Sequence, residues 1–220
     1  MSRGPFDPSF EQLPRTLPIF PLPGALLLPG GKLPLNIFEE RYLAMVQAAL
    51  HSDSRMIGMI QPRGEAADQD RPAVYATGCA GRVVAFSETD DRRYLIALSG
   101  VARFQVVREL PPVDGYRRVE ADFTAFKADL DDETGASIDR DRLIGALKSY
   151  FTNQSISADW EAIVQAPDDK LVTTLAMVCP FDNREKQALL ESPNLAERSR
   201  MMTALIEMAV LDTAGAAARH

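Results

Sequence analysis

The sequence predicts an α+β chain: a β-rich first lobe with one inserted helix, closing as a small barrel, then a second lobe that is all helix. Three observations carry this. Runs of β-forming residues recur at short, regular spacing between residues 16 and 126. From residue 137 onward the apolar residues recur with helical spacing. Between them lies an acidic stretch over 128–136, ADLDDETGA, read as the linker between lobes.

Taken in order, residues 1–15 are polar and Pro-interrupted, and are expected to be a loosely attached arm. Residues 17–42 then pack five prolines (18, 21, 23, 29 and 34) and three glycines among large apolar side chains. Each proline fixes φ and removes a donor, which forbids a continuous helix. The segment is nevertheless too apolar for a solvated linker. Two short strands remain, 16–20 and 32–37, where proline is tolerated at strand starts and edges.

A helix follows over 39–52, with Tyr42, Leu43, Met45, Val46, Ala49 and Leu50 on one stripe. Residues 56–61 read as a buried strand and 62–71 as a loop. A strand covers 74–88, with Gly78 and Gly81 permitting a bend. Residues 89–92 form a hairpin turn into a strand over 93–98. Ser99-Gly100 reads as a further turn into 102–110, and 111–115 as another before an alternating strand over 116–126. Strands at this spacing suggest a barrel, which removes exposed edges by closing on itself.

Beyond the linker, over 137–220, Leu143, Ile144, Leu147, Tyr150 and Phe151 give a first helix. Leu171, Val172, Leu175 and Val178 give a second, ended by Cys179-Pro180. Asp182 and Glu185 have capping-box spacing. Pro193-Asn194 opens a last helix with its stripe at Leu195, Met202, Leu205, Ile206 and Ala209.

Composition narrows the function. A chain of 220 residues that is 46% hydrophobic buries enough surface to fold alone. The net charge of −7 disfavours nucleic acid, whose binding is dominated by phosphate neutralisation. Seven arginines lie between residues 72 and 118 (82, 92, 93, 103, 108, 117 and 118), and RNA binding through this region is the weakest reading retained. The N-terminus lacks the charged-then-apolar pattern of a secretory signal, and no apolar run reaches the ~18 residues of a membrane span. Cys79 and Cys179, a hundred positions apart, read as reduced, buried thiols of a cytoplasmic chain.

Catalytic chemistry is missing from the sequence. A phosphate loop would need glycine at Leu26 and a hydroxyl at Leu33, so Gly31-Lys32 is a turn before a strand. His51 and His220 cannot join the two cysteines in a clustered metal site. The carboxylate runs 90–91, 131–133 and 168–169 occupy turn, linker and helix-start positions. The expectation is a non-enzyme without cofactor or metal.

Apolar surface is what remains. Leu26, Leu27 and Leu28 sit in a Pro/Gly-bounded loop. They either plug the core or form a contact surface, and are retained as the candidate polypeptide-binding residues.

The run Leu17-Pro18-Ile19-Phe20-Pro21-Leu22, then Leu33-Pro34-Leu35, Ile37-Phe38-Glu39 and Arg41-Tyr42 resembles the start of the Lon protease N-terminal, or substrate-binding, domain family. Weaker similarity continues through 74–86, 95–104, 171–178 and 196–208. The resemblance implies a PUA-like β-barrel followed by helices, and a role in recognising unfolded polypeptides. It implies no ATPase or Ser–Lys peptidase, since in that family both follow this domain and this sequence stops at His220. The expected function is binding of exposed apolar polypeptide segments, as an adaptor in protein quality control, with a separate protease as a possible partner. The alternative is a small-molecule or nucleotide module with a barrel-mouth pocket.

Overall fold

The computed structural model describes residues 7–64, 71–131, 137–154 and 156–217, with side chains as far as 212. Six strands form one sheet: β1 (Thr16–Pro21), β2 (Lys32–Ile37), β3 (Met56–Pro62), β4 (Val74–Glu88), β5 (Tyr94–Val113) and β6 (Tyr116–Asp122). A helix, α1 (Glu40–His51), separates β2 from β3. The sheet order is β2-β5-β4-β3-β1-β6, and β6 also pairs with β5. Five strands therefore close a ring, β5-β4-β3-β1-β6, while β2 flanks the outer half of β5. Among the described residues only the β1–β3 pair is parallel, with Ile19 opposite Gly58.

Phe104 fills the middle of the barrel with Leu17, Ile19, Met56, Ile60 and Val119, all fully or nearly fully buried. Glycine at 58 and 78 makes room for it, because a Cβ at either position would lie 2.8 or 2.6 Å from the Phe104 ring. The two long strands, β4 and β5, bend at bulges such as those between Ala80 and Gly81 and between Val83 and Ala85.

The helices are α2 (Arg140–Asn153), α3 (Trp160–Gln165), α4 (Asp168–Val178), α5 (Asn183–Glu191) and α6 (Leu195–Ala217). The expected capping box starts α5: the Asp182 N–H donates to Glu185 Oε2 and the Glu185 N–H to Asp182 Oδ1, both at 2.8 Å. Leu143, Leu147, Leu175, Leu189 and Ile206 join one apolar core with Met45, Ile57 and Leu98 of the β region. Helices and sheet thus share a core. Among the described residues every strand precedes residue 123 and α2–α6 follow residue 139.

Several expectations are corrected. Ser99-Gly100 is not a turn, since β5 runs straight through it. Glycine is required at 100 because the loop before β2 comes in there, and a Cβ would overlap the Leu28 carbonyl. The strand expected to reach 126 ends at Asp122. Asp122 Oδ1 accepts from the Thr124 N–H at 2.9 Å and its hydroxyl at 2.6 Å, turning the chain into a 3-10 helix, Thr124–Leu130. That helix occupies the first residues of the expected linker; 132–136 lie outside the described residues.

The described part of the N-terminal arm is attached. Leu13 is buried, Phe10 packs against the same cluster, and the Ala121 N–H donates to Arg15 O at 2.8 Å. Val178 faces outward at 69% exposure, although helical spacing placed it inside. Helix α3 was missed, its six residues being too short to show periodicity.

Candidate functional site

Leu26, Leu27 and Leu28 are 2%, 1% and 0% exposed, so the expected contact surface is instead a plug in the shared core. The loop is fixed along its length. The Gly24 N–H donates to Asn183 Oδ1 at 2.8 Å, and the Gly24 carbonyl accepts from Lys186 Nζ at 2.5 Å. Gln61 Nε2 donates to Ala25 O at 2.5 Å, and the Gly30 N–H to Gly100 O at 2.9 Å. Three large side chains in a row reach one core because Gly24 and Gly30 adopt positive φ, of 75° and 72°, on either side of them.

Next to this plug, where β1 ends, lies a cleft of about 420 Å³. Its walls come from the ends of β1 and β2, the first turn of α1, and the β5–β6 hairpin. That hairpin turns on Asp114-Gly115, both at positive φ (47° and 84°), with Val113 opposite Tyr116. This is the two-residue turn whose twist matches the strands. Gly115 lies against α1, where a Cβ would come 3.2 Å from Arg41 Cβ.

The lining is apolar with charged rims. Phe20 and Tyr42 pack at a tilt of 43° with ring centroids 4.2 Å apart, and burial raises the Tyr42 pKa above that of an ordinary phenol. Pro21, Pro23, Pro62 and Pro72 contribute ring surface without any N–H. Phe38 is 62% exposed, with the Arg93 guanidinium 5.9 Å from its ring.

On the rim, Arg41 lies 4.7 Å over Tyr42 and 2.7 Å from Glu39 Oε2. Arg117 holds Glu109 with two bonds of 2.7 and 2.8 Å and donates to Pro72 O at 2.7 Å. Hydrogen bonding from Arg117 lowers the Glu109 pKa.

Both cysteines are buried free thiols; burial pushes Cys79 far up and Cys179 up to about 11, so neither is a ready nucleophile. Among the described residues no group of three or more His, Cys, Asp or Glu is placed to hold a metal, and no helix is long and apolar enough to cross a membrane.

Four of the arginines weighed for RNA are spent on carboxylates: Arg93 on Asp91, Arg103 on Asp129, Arg108 on Glu120 and Arg117 on Glu109. Sequence reasoning missed the cleft because its walls come from segments far apart in the chain. One signal was present: Phe38, a large apolar residue at the entry to a helix whose own stripe begins at Tyr42.

Residues 16–208 match the family model of the ATP-dependent protease La (LON) substrate-binding domain. The chain is 26% identical over 205 residues to Lon protease 2 of Myxococcus xanthus, covering 89% of this chain and 24% of that protein. It is 31% identical over 123 residues to the Lon protease of Anaeromyxobacter dehalogenans, covering 56% of this chain and 14% of that protein. The chain thus spans at most about a quarter of these relatives.

Among solved structures it resembles the Lon N-terminal domain protein from Xanthomonas campestris, at TM-score 0.60 and 22% identity, over 86% of this chain and 97% of that one. It also resembles the N-terminal domain of the Mycobacterium avium complex Lon protease, at TM-score 0.61 and 16% identity, over 87% and 97%.

Proposed function

The chain belongs to the Lon substrate-binding domain family, and from that premise we propose that it binds exposed apolar segments of unfolded or partly folded polypeptides in the cleft beside α1. The observation that carries this reading is the cleft's composition. A tilted aromatic pair and four proline rings give a broad apolar wall, and Phe38 stands exposed at its edge. Exposed apolar surface of this kind marks interaction sites. The proline rings are already rigid, so ordering them on binding costs little.

Binding here is non-catalytic and serves protein quality control as an adaptor, delivering polypeptide to a separate protease. Among the described residues of the cleft none pairs a nucleophile with a base. A small-molecule or nucleotide ligand is the second reading, because about 420 Å³ falls within the range of ligand pockets.

The test is Phe38→Ser, with binding to a chemically denatured, reduced model protein measured beside thermal stability. Phe38 is mostly in solvent, so the melting temperature should hold. Losing its contact, of order 1.5–3 kcal/mol, should weaken binding about tenfold or more. Unchanged binding by the folded variant would remove the cleft from consideration. A sharp thermal stabilisation of the wild type by nucleotides alone would favour the second reading.

A further inference from the structure

Among the described residues strand β2 pairs with β5 alone, which leaves its other edge open. In an antiparallel pair, residues alternate between those bonded to the neighbour and those whose N–H and C=O point away. The Gly100 N–H donates to Gly31 O at 2.8 Å, and the Gly30 N–H to Gly100 O at 2.9 Å, which sets the bonded phase at Gly31 and Gly100. Following the register, Leu33, Leu35 and Ile37 bond to β5, while Lys32, Pro34 and Asn36 direct their backbone groups to the open edge. Pro34 fits this phase, because a proline can sit only where no ladder donor is needed.

The cleft lies along this edge. It touches Leu35, Asn36 and Ile37 in succession, although successive side chains point to opposite faces, and β5 lines none of it. A cavity that meets consecutive strand residues, away from the paired side, meets the free backbone. Its proline walls bring no donor to compete for an incoming carbonyl.

The lining also has a sign. Arg41, Arg71, Arg117 and Glu39 line the cleft; Arg41 pairs with Glu39, and Arg117 is held by Glu109. Among the described lining residues the arginines outnumber the carboxylates.

We propose that the polypeptide binds as an added strand on the open edge of β2, in extended form, with the Asn36 backbone as its main pairing point and an acidic residue near the rim. This deepens the cleft reading above and rests on it. Main-chain pairing supplies affinity without demanding a sequence, which suits recognition of unfolded chains. Lys32 and Pro34 guard the outer part of the edge, so a short segment is accepted and a growing sheet is not.

The test uses a labelled peptide of alternating Val and Leu with one terminal Asp, followed by fluorescence anisotropy. Asn36→Pro removes the edge donor at a phase where Pro34 is already accommodated, and Asn36→Ala keeps it. Asn36→Pro should bind at least tenfold more weakly than Asn36→Ala, with a similar melting temperature. The same peptide N-methylated at alternate backbone nitrogens should lose a comparable factor against the wild type, and this arm depends on no variant. Equal affinity of the methylated and parent peptides, or of a folded Asn36→Pro, would overturn strand addition while leaving the cleft reading standing. If the wild type binds neither peptide nor denatured protein, the cleft reading falls as well.

Discussion

Asp129→Ala should cost about 3–5 kcal/mol of folding stability in urea denaturation, because it strands a buried guanidinium without its counter-charge. Arg103, on β5, is 5% exposed. Its Nε and Nη2 reach Asp129 at 2.9 and 2.7 Å, and its backbone N–H donates to Asp129 Oδ2 at 2.9 Å. The remaining nitrogen is equally committed: Nη1 gives bonds of 3.1 Å to Leu190 O and 2.6 Å to Ser192 O, at the end of α5.

One side chain therefore ties the barrel wall to the 3-10 helix and to the helical region. The double replacement Arg103→Met with Asp129→Leu should recover only part of the loss: it removes the unpaired charge but leaves the Leu190 and Ser192 carbonyls and the residue 103 N–H without these partners. A loss below about 1 kcal/mol in Asp129→Ala would show that water reaches the guanidinium, as it does at exposed pairs.

The second large effect is at the plug. Leu27→Ser should lower stability by at least about 2–5 kcal/mol, the range for Leu→Ala in a core, and a buried hydroxyl adds to it. For a chain of this size that is a fall in melting temperature on the order of 5–15 °C. Leu27 is 1% exposed, and a Cβ on Gly81 would come within 2.6 Å of Leu27 Cδ2, so the neighbouring strand is already built around this side chain. Polypeptide affinity should change little in whatever fraction stays folded. Weakened binding with an unchanged melting temperature would return the triplet to the surface.

Much of the fold was legible because local rules and tertiary packing agree along most of the chain. β2 and β4 fall on the expected residues, Lys32–Ile37 and Val74–Glu88, since pattern and punctuation coincide there. Asp182 and Glu185 form their capping box because both partners are local.

The misreadings arise where a long-range contact overrides a local signal. Ser99-Gly100 carries turn residues, yet the glycine answers to a loop some seventy positions earlier that presses Leu28 against it. Leu26, Leu27 and Leu28 look like surface because three adjacent side chains rarely share a core. They do so here through the positive-φ glycines and the hold of Asn183 and Lys186, partners about 160 positions away.

The candidate site was least legible. Its cleft takes residues from β1, β2, α1, the β5–β6 turn and the segments around Pro62 and Pro72, and sequence spacing does not report such convergence. The Pro-rich opening run nonetheless supplies much of its wall, through residues such as Pro21, Leu22 and Pro23 rather than through Leu26, Leu27 and Leu28.

The most direct measurement of the central claim is amide chemical-shift mapping of the isotope-labelled chain during titration with an unfolded polypeptide. Perturbations should concentrate at Asn36, Phe38, Tyr42 and Tyr116 around the cleft, with Leu26, Leu27 and Leu28 little affected. Perturbations confined to the outer faces of α4 and α6, around Val178 and Met208, with an unmoved cleft, would contradict it.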